Sequence, residues 1–299
     1  MIGPPTVLVI GAGASVPYEL PTGRRLLDDA INGARELVRE LPALTGLRAD
    51  DVQAFLDRLR TAECDSIDAM LERHVYDERI QRAGRAVIAY TLAPYLRRTT
   101  LTAPDADWVK FVWRRMADGA TTFADLRRNR LHLVTFNVDK VIELKLTKAI
   151  EALYGTAPAA DVQEFVETVV VHVQGAIDHP PPHSVVTADW MATAMRDLRT
   201  IRDPAYDLTL NIVRNLLRAA HVIACLGFGH HRDNVAKLGF PEMTPVVGQT
   251  KTIHSTAVGL TEGQVPEIQR AYGAGWQLEF ARADESCLDF LQNRDILQG

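Results

Sequence analysis

Thr6-Val7-Leu8-Val9-Ile10-Gly11-Ala12-Gly13-Ala14-Ser15 is the stretch from which the rest of the chain is read. After Thr6, four apolar residues, mostly β-branched, run without a polar break and stop at a glycine, the pattern of a strand buried on both faces in a parallel sheet. The glycines that follow let the backbone turn sharply and come close to a ligand, and the N–H groups opening the next helix face a phosphate. Four later segments resemble the first: Leu131–Phe136, Thr168–Val173, His221–Leu226 and Thr252–Val258. Helical patterns separate them, so the expected fold is α/β, a Rossmann-like parallel sheet with helices between its strands.

No strand is legible between Ile10 and Leu131. Leu26, Leu27, Ala30, Ile31, Ala34, Leu37, Val38 and Leu41 recur at helical spacing, as do Val52, Phe55, Leu56 and Leu59. The series Ile80, Ala83, Val87, Tyr90 and Leu92, ending near Pro94, and the later Trp108, Val112 and Met116 do the same. The spacing predicts a helical insertion over 24–130 after the first βα unit, with the sheet domain formed by 1–23 and 131–299. His179-Pro180-Pro181-Pro182-His183 reads as a surface connection. Thr261 and Gln264 form a capping box for a helix through Tyr272, and two helices are expected to close the chain.

Composition narrows the function classes. Against 38 acidic residues stand 33 Lys and Arg, for a net charge of −5, which supplies no field for coating nucleic acid. No run approaches the roughly 18 apolar residues of a membrane span. Met1-Ile2-Gly3-Pro4-Pro5 shows no basic leader or cleavage site. Cys64, Cys225 and Cys287 are scattered, which argues against a disulfide framework or a four-cysteine zinc site. A soluble, cytoplasmic protein without a metal is the expectation.

Four strand ends carry the candidate chemistry. The first is Gly11-Ala12-Gly13-Ala14-Ser15, where Val16 stands in place of a third fingerprint glycine, and Asp28 and Asp29 fall in a helix rather than at a second strand end; a dinucleotide dehydrogenase fits poorly. The second is Asn137-Val138-Asp139, able to offer an amide and a carboxylate to ribose hydroxyls or water, or simply to end a strand and cap the helix beginning at Lys140. The third is His172-Val173-Gln174-Gly175, whose His and Gln share a face if the strand continues. A lone strand histidine is also a common core residue. The fourth is Gly227-Phe228-Gly229-His230-His231, a second glycine turn whose adjacent histidines diverge and lack further metal ligands.

Taken in order, these motifs resemble the bacterial sirtuin-like nicotinamide-dinucleotide-binding domains of antiphage defence. Pro21-Thr22-Gly23 and Ser66-Ile67-Asp68-Ala69-Met70-Leu71 add to the likeness, which spans nearly the whole chain. The resemblance implies an NAD+ hydrolase that splits the nicotinamide–ribose bond and depletes the cofactor, with NAD+ as substrate. It implies that Gly11, Ala12, Gly13 and Ser15 hold the diphosphate, that Asn137 and Asp139 meet the nicotinamide ribose and position water, and that Gly227 and Gly229 lie near the adenosine. His172 would serve as base, beside Gln174 and Gly175. Two features differ from the family pattern: Gln174 stands where a histidine precedes the glycine, and the cysteines of protein-deacylating members are missing. The alternatives are a module that binds the nucleotide without cleaving it and an α/β domain without ligand. Because a freely active hydrolase would drain a shared cofactor, control by a homo-oligomer or a regulatory partner protein is expected. Arg97, Arg98, Arg127, Arg128 and Arg130 are interface candidates, against the alternative of solvated helix faces.

Overall fold

The computed structural model describes residues 1–181, 185–199, 203–243 and 251–298. Six strands, β1 (Thr6–Ile10), β2 (Leu131–Thr135), β3 (Val170–His172), β4 (Val222–Leu226), β5 (Lys251–Ser255) and β6 (Trp276–Phe280), form one sheet in the order β3-β2-β1-β4-β5-β6. Every pairing is parallel, with Thr6 opposite both Leu131 and Val222. This is the doubly wound order, in which the connections leave β1 toward opposite sides and open a crevice between the carboxyl ends of β1 and β4.

The pleat sorts the strand side chains into two layers. Leu8, Ile10, Leu131, Leu133, Ala224 and Leu226 point to one face and share a core with the helices between β1 and β2. Val7, Val9, Val134, Ile223 and Cys225 point to the other, where the helices Pro204–Ala219, Arg232–Lys237 and Val265–Tyr272 cover them. The inserted helices thus share a core with one face of the sheet.

Several boundaries differ from the sequence expectation, each for a physical reason. The segment expected as a strand from Thr168 begins instead as the last turn of the helix Ala159–Val169, because Val162, Phe165, Val166 and Val169 complete a buried helical stripe. The single helical series from Leu26 to Leu41 is two helices, Gly23–Asn32 and Ala34–Thr45, parted at Gly33. Pro94 does not end its helix, which runs Glu78–Arg98 and buries Leu92, Ala93 and Leu96 on either side of it. That packing offsets the roughly 3 kcal/mol cost of an interior proline. Strand β6 stands between the two expected closing helices. Its alternation Trp276, Leu278, Phe280 against exposed Gln277 and Glu279 is that of an edge strand. The capping box is present, with Gln264 Oε1 accepting from the Thr261 N–H at 2.9 Å. Pro182 and His183 of the expected surface connection lie outside the described residues.

The turn after β1 is bolted to the insertion. It forms a 3-10 helix, Ala12–Tyr18, and the Trp108 indole donates to the Ala14 carbonyl at 2.7 Å. The Tyr18 hydroxyl donates to Asp107 at 3.0 Å, and Asp107 is paired with Lys145 at 2.7 Å. Among the described residues no helix is long and apolar enough to cross a membrane. All three cysteines are free thiols.

Candidate functional site

The glycine turns after β1 and β4 meet at the crevice, and they meet each other. Gly11 N–H donates to the Leu226 carbonyl and Gly13 N–H to the Gly227 carbonyl, both at 3.0 Å. A Cβ on Gly11 would lie 2.5 Å from the Gly227 oxygen, and one on Gly227, at φ 55°, would lie 2.1 Å from the Ala14 nitrogen. The glycines are therefore required by backbone-to-backbone approach at the switch point, whatever ligand that point also holds. Gly229, one turn further, is exposed beside His231.

Next to this junction lies a buried polar chain built from the ends of β1, β2 and β3. Ser15 donates its hydroxyl to Asp139 Oδ2 at 3.0 Å. Asn137 donates through Nδ2 to Ser15 Oγ at 2.8 Å and to the Gly11 carbonyl at 3.1 Å. Asp139 Oδ1 accepts from the Val141 N–H at 3.1 Å, the first N–H of the helix Val141–Leu153, whose N-cap position is Lys140 rather than Asp139. Asn137 and Asp139 are each 8% exposed. Burial pushes the Asp139 carboxyl above the ordinary range, against the opposing pull of the Val141 N–H, the Ser15 hydroxyl and the His172 ring.

His172 joins the same chain from β3. Its Nδ1–H donates to the Asn137 backbone carbonyl at 2.8 Å, and its Nε2 is hydrogen-bonded to Glu143 Oε1 in a close ion pair. Burial alone would push the ring down, but the Glu143 bond and charge, the Asn137 carbonyl and the Asp139 charge together hold it above the ordinary histidine value. A ring facing acceptors at both nitrogens is an imidazolium with no lone pair free, so the expected general-base role requires the Glu143 contact to break first. Glu143 escaped the sequence reading. The signal was there: an acid in the first turn of the helix after Asn137-Val138-Asp139, where the helix dipole favours negative charge.

Gln174 has different surroundings. Strand β3 stops at His172, and with it the pleat that would align the two side chains. Gly175 then turns at φ 78° and bridges to Leu198, where a Cβ would sit 1.9 Å from the Asp197 oxygen. Gln174 lines a small cavity against the inserted helices Ile67–Arg73 and Glu78–Arg98, with Asp68, Glu72, Gln81 and Tyr206. Gln81, only 4% exposed, fixes its amide by donating to the Leu71 carbonyl at 2.6 Å and the His74 carbonyl at 3.2 Å. Glu72 of this cavity wall pairs with Lys237, a contact that ties the inserted helices to the helix Arg232–Lys237.

The second histidine motif is structural. His230, held at φ 53°, is buried with Tyr272 Oη 2.8 Å from Nδ1 and Ser255 Oγ 2.8 Å from Nε2. Ser255 spends its own proton on the Thr256 carbonyl at 2.9 Å, so Nε2–H donates to Ser255 and Tyr272 donates to Nδ1. Burial, with a smaller push from His231, takes the His230 ring down to about 4. Among the described residues no group of three or more His, Cys, Asp or Glu is arranged to hold a metal ion. Of the candidate interface arginines, Arg127 pairs with Glu164 and Arg128 with Asp125.

The site thus joins Gly11, Gly13, Ser15, Asn137, Asp139 and His172 at one junction with Gly227, while Gln174 belongs to the neighbouring cavity wall, Gly175 to the bridge with Leu198 and Gly229 to the surface. Comparison of the chain with protein-family models and with curated proteins returns no match.

Proposed function

We propose that the chain holds a nicotinamide–adenine dinucleotide across the β1/β4 switch point and hydrolyses its nicotinamide–ribose bond, releasing nicotinamide and ADP-ribose. The observation that carries this reading is the buried chain Asp139–Ser15–Asn137–His172–Glu143. It gathers two carboxylates and a carboxamide where an open parallel sheet places its ligands. Departure of nicotinamide spreads positive charge over the ribose. Preset oxygens in a water-poor site stabilise such charge without reorganising. In this reading Asn137 and Asp139 face the ribose and the attacking water, the turns at Gly11–Ser15 and Gly227–Gly229 hold the diphosphate and adenosine, and His172 keeps Glu143 and the Asn137 loop in place. Cellular NAD+ depletion would follow, which is the outcome the defence-domain likeness implies, with self-association or a partner chain as the restraint.

The test is nicotinamide release from NAD+ by the purified chain, followed chromatographically over a wide range of protein concentration. Equal amounts of nicotinamide and ADP-ribose are expected, with turnover reduced about 10²-fold or more by Asn137→Ala. Wild-type turnover in that variant overturns the residue assignment.

A second reading, binding without cleavage, is favoured by one observation: both His172 nitrogens are already engaged. Tight calorimetric binding with no product at any protein concentration would select it.

A further inference from the structure

We infer that Glu143 Oε2 accepts a hydrogen bond from a hydroxyl of the ribose that carries nicotinamide, an inference that rests on the dinucleotide reading above. The argument is an account of acceptors in the buried chain. Asp139 has both oxygens engaged, Oδ1 by the Val141 N–H and Oδ2 by the Ser15 hydroxyl. The His172 ring faces acceptors at both nitrogens. Glu143 gives Oε1 to His172, and its Oε2 is buried with no hydrogen-bond partner. A buried carboxylate oxygen left without a donor is expensive, and a donor from a ligand or a water removes that cost. The Glu143 side chain as a whole is 18% exposed while Oε2 itself is covered, so the groups over Oε2 must yield when a ligand binds. Its direction is set, because His172 holds the other oxygen and is itself pinned to the Asn137 carbonyl.

The chemistry of the ligand narrows the donor. Diphosphate oxygens only accept and are repelled by a carboxylate. The adenine amino group belongs, in this reading, to the far side of the switch point. The ribose hydroxyls are the donors that fall beside Asn137 and Asp139.

Calorimetry of the full chain and of Glu143→Gln against ADP-ribose and ADP tests this. ADP-ribose retains the second ribose and ADP lacks it. Glu143→Gln is expected to weaken ADP-ribose about tenfold or more while changing ADP less than twofold, since charged hydrogen bonds are roughly twice as strong as neutral ones. A purely structural role would weaken both ligands alike, and that result, or unchanged affinity for ADP-ribose, overturns the inference while leaving the dinucleotide reading intact. Absence of wild-type binding to NAD+, ADP-ribose and ADP overturns both. Should Glu143→Gln fail to fold, the wild type alone decides. ADP-ribose analogues deoxygenated at each hydroxyl of the second ribose should include one that binds about tenfold or more weaker, and equal affinity for all of them overturns the inference.

Discussion

Gly13 and Gly227 touch backbone to backbone: the Gly13 N–H donates to the Gly227 carbonyl at 3.0 Å, and a Cβ on Gly13 would lie 2.9 Å from the Gly227 Cα. Two turns separated by most of the chain are thereby sealed at the mouth of the crevice.

Replacing Gly227 by alanine is expected to cost about 3 kcal/mol or more, because strain at φ 55° adds to a collision with the Ala14 nitrogen. Gly46→Ala, at φ 69° in open space, should cost only about 1–2 kcal/mol. Urea denaturation of the two variants measures the difference, and equal costs would remove the argument for close approach.

The His172–Glu143 pair sets a pH dependence with a definite sign. The folded ring titrates above the unfolded value of about 6.5, so its contribution is complete below that pH and is lost as pH climbs through the folded value. The stability gap between wild type and His172→Gln should therefore shrink between pH 6.5 and alkaline conditions. A gap that is flat with pH would mean that the ring is neutral.

His230 acts with the opposite sign. With the folded ring down at about 4 and the unfolded ring near 6.5, stability is complete above pH 6.5 and falls as the solution is acidified toward pH 4. The loss should approach about 3 kcal/mol. Asparagine tolerates positive φ, so His230→Asn should give a protein that is weaker at neutral pH yet flatter in acid. An equally steep acid profile for the variant would assign the acid sensitivity elsewhere.

The Glu72–Lys237 pair ties the insertion to the sheet domain, with the Lys237 side chain 9% exposed. Lys237→Met leaves Glu72 partnerless beside Asp68 and should cost about 3 kcal/mol, whereas adding Glu72→Gln should restore a good part of it. Strict additivity in the double-mutant cycle would show the pair to be independent.

The chain's sequence showed the strands that are buried on both faces, because an unbroken β-branched run such as Thr6–Ile10 has few other uses. It hid strand β6, since Trp276–Phe280 carries its signal only as alternation. Asn137, Asp139 and Ser15 were legible as strand-end groups, and the structure links them over 2.8 to 3.0 Å. The separation of His172 from Gln174 was not legible. It depends on β3 ending after three residues, which is decided by the helix before it and by Gly175 meeting Asp197. Glu143 was missed because it reaches the site through a helix turn, and its importance appears only once His172 is seen to face it.

Strand β1 is translated first, yet both of its neighbours are distant in the chain: Thr6 lies opposite Leu131 on one side and Val222 on the other. During synthesis this apolar ribbon must therefore wait unpaired while the inserted helices, rich in local contacts, take shape around it. Nascent chains halted before β2 should expose it to chaperones, and refolding from denaturant should be slow for a protein so rich in helix.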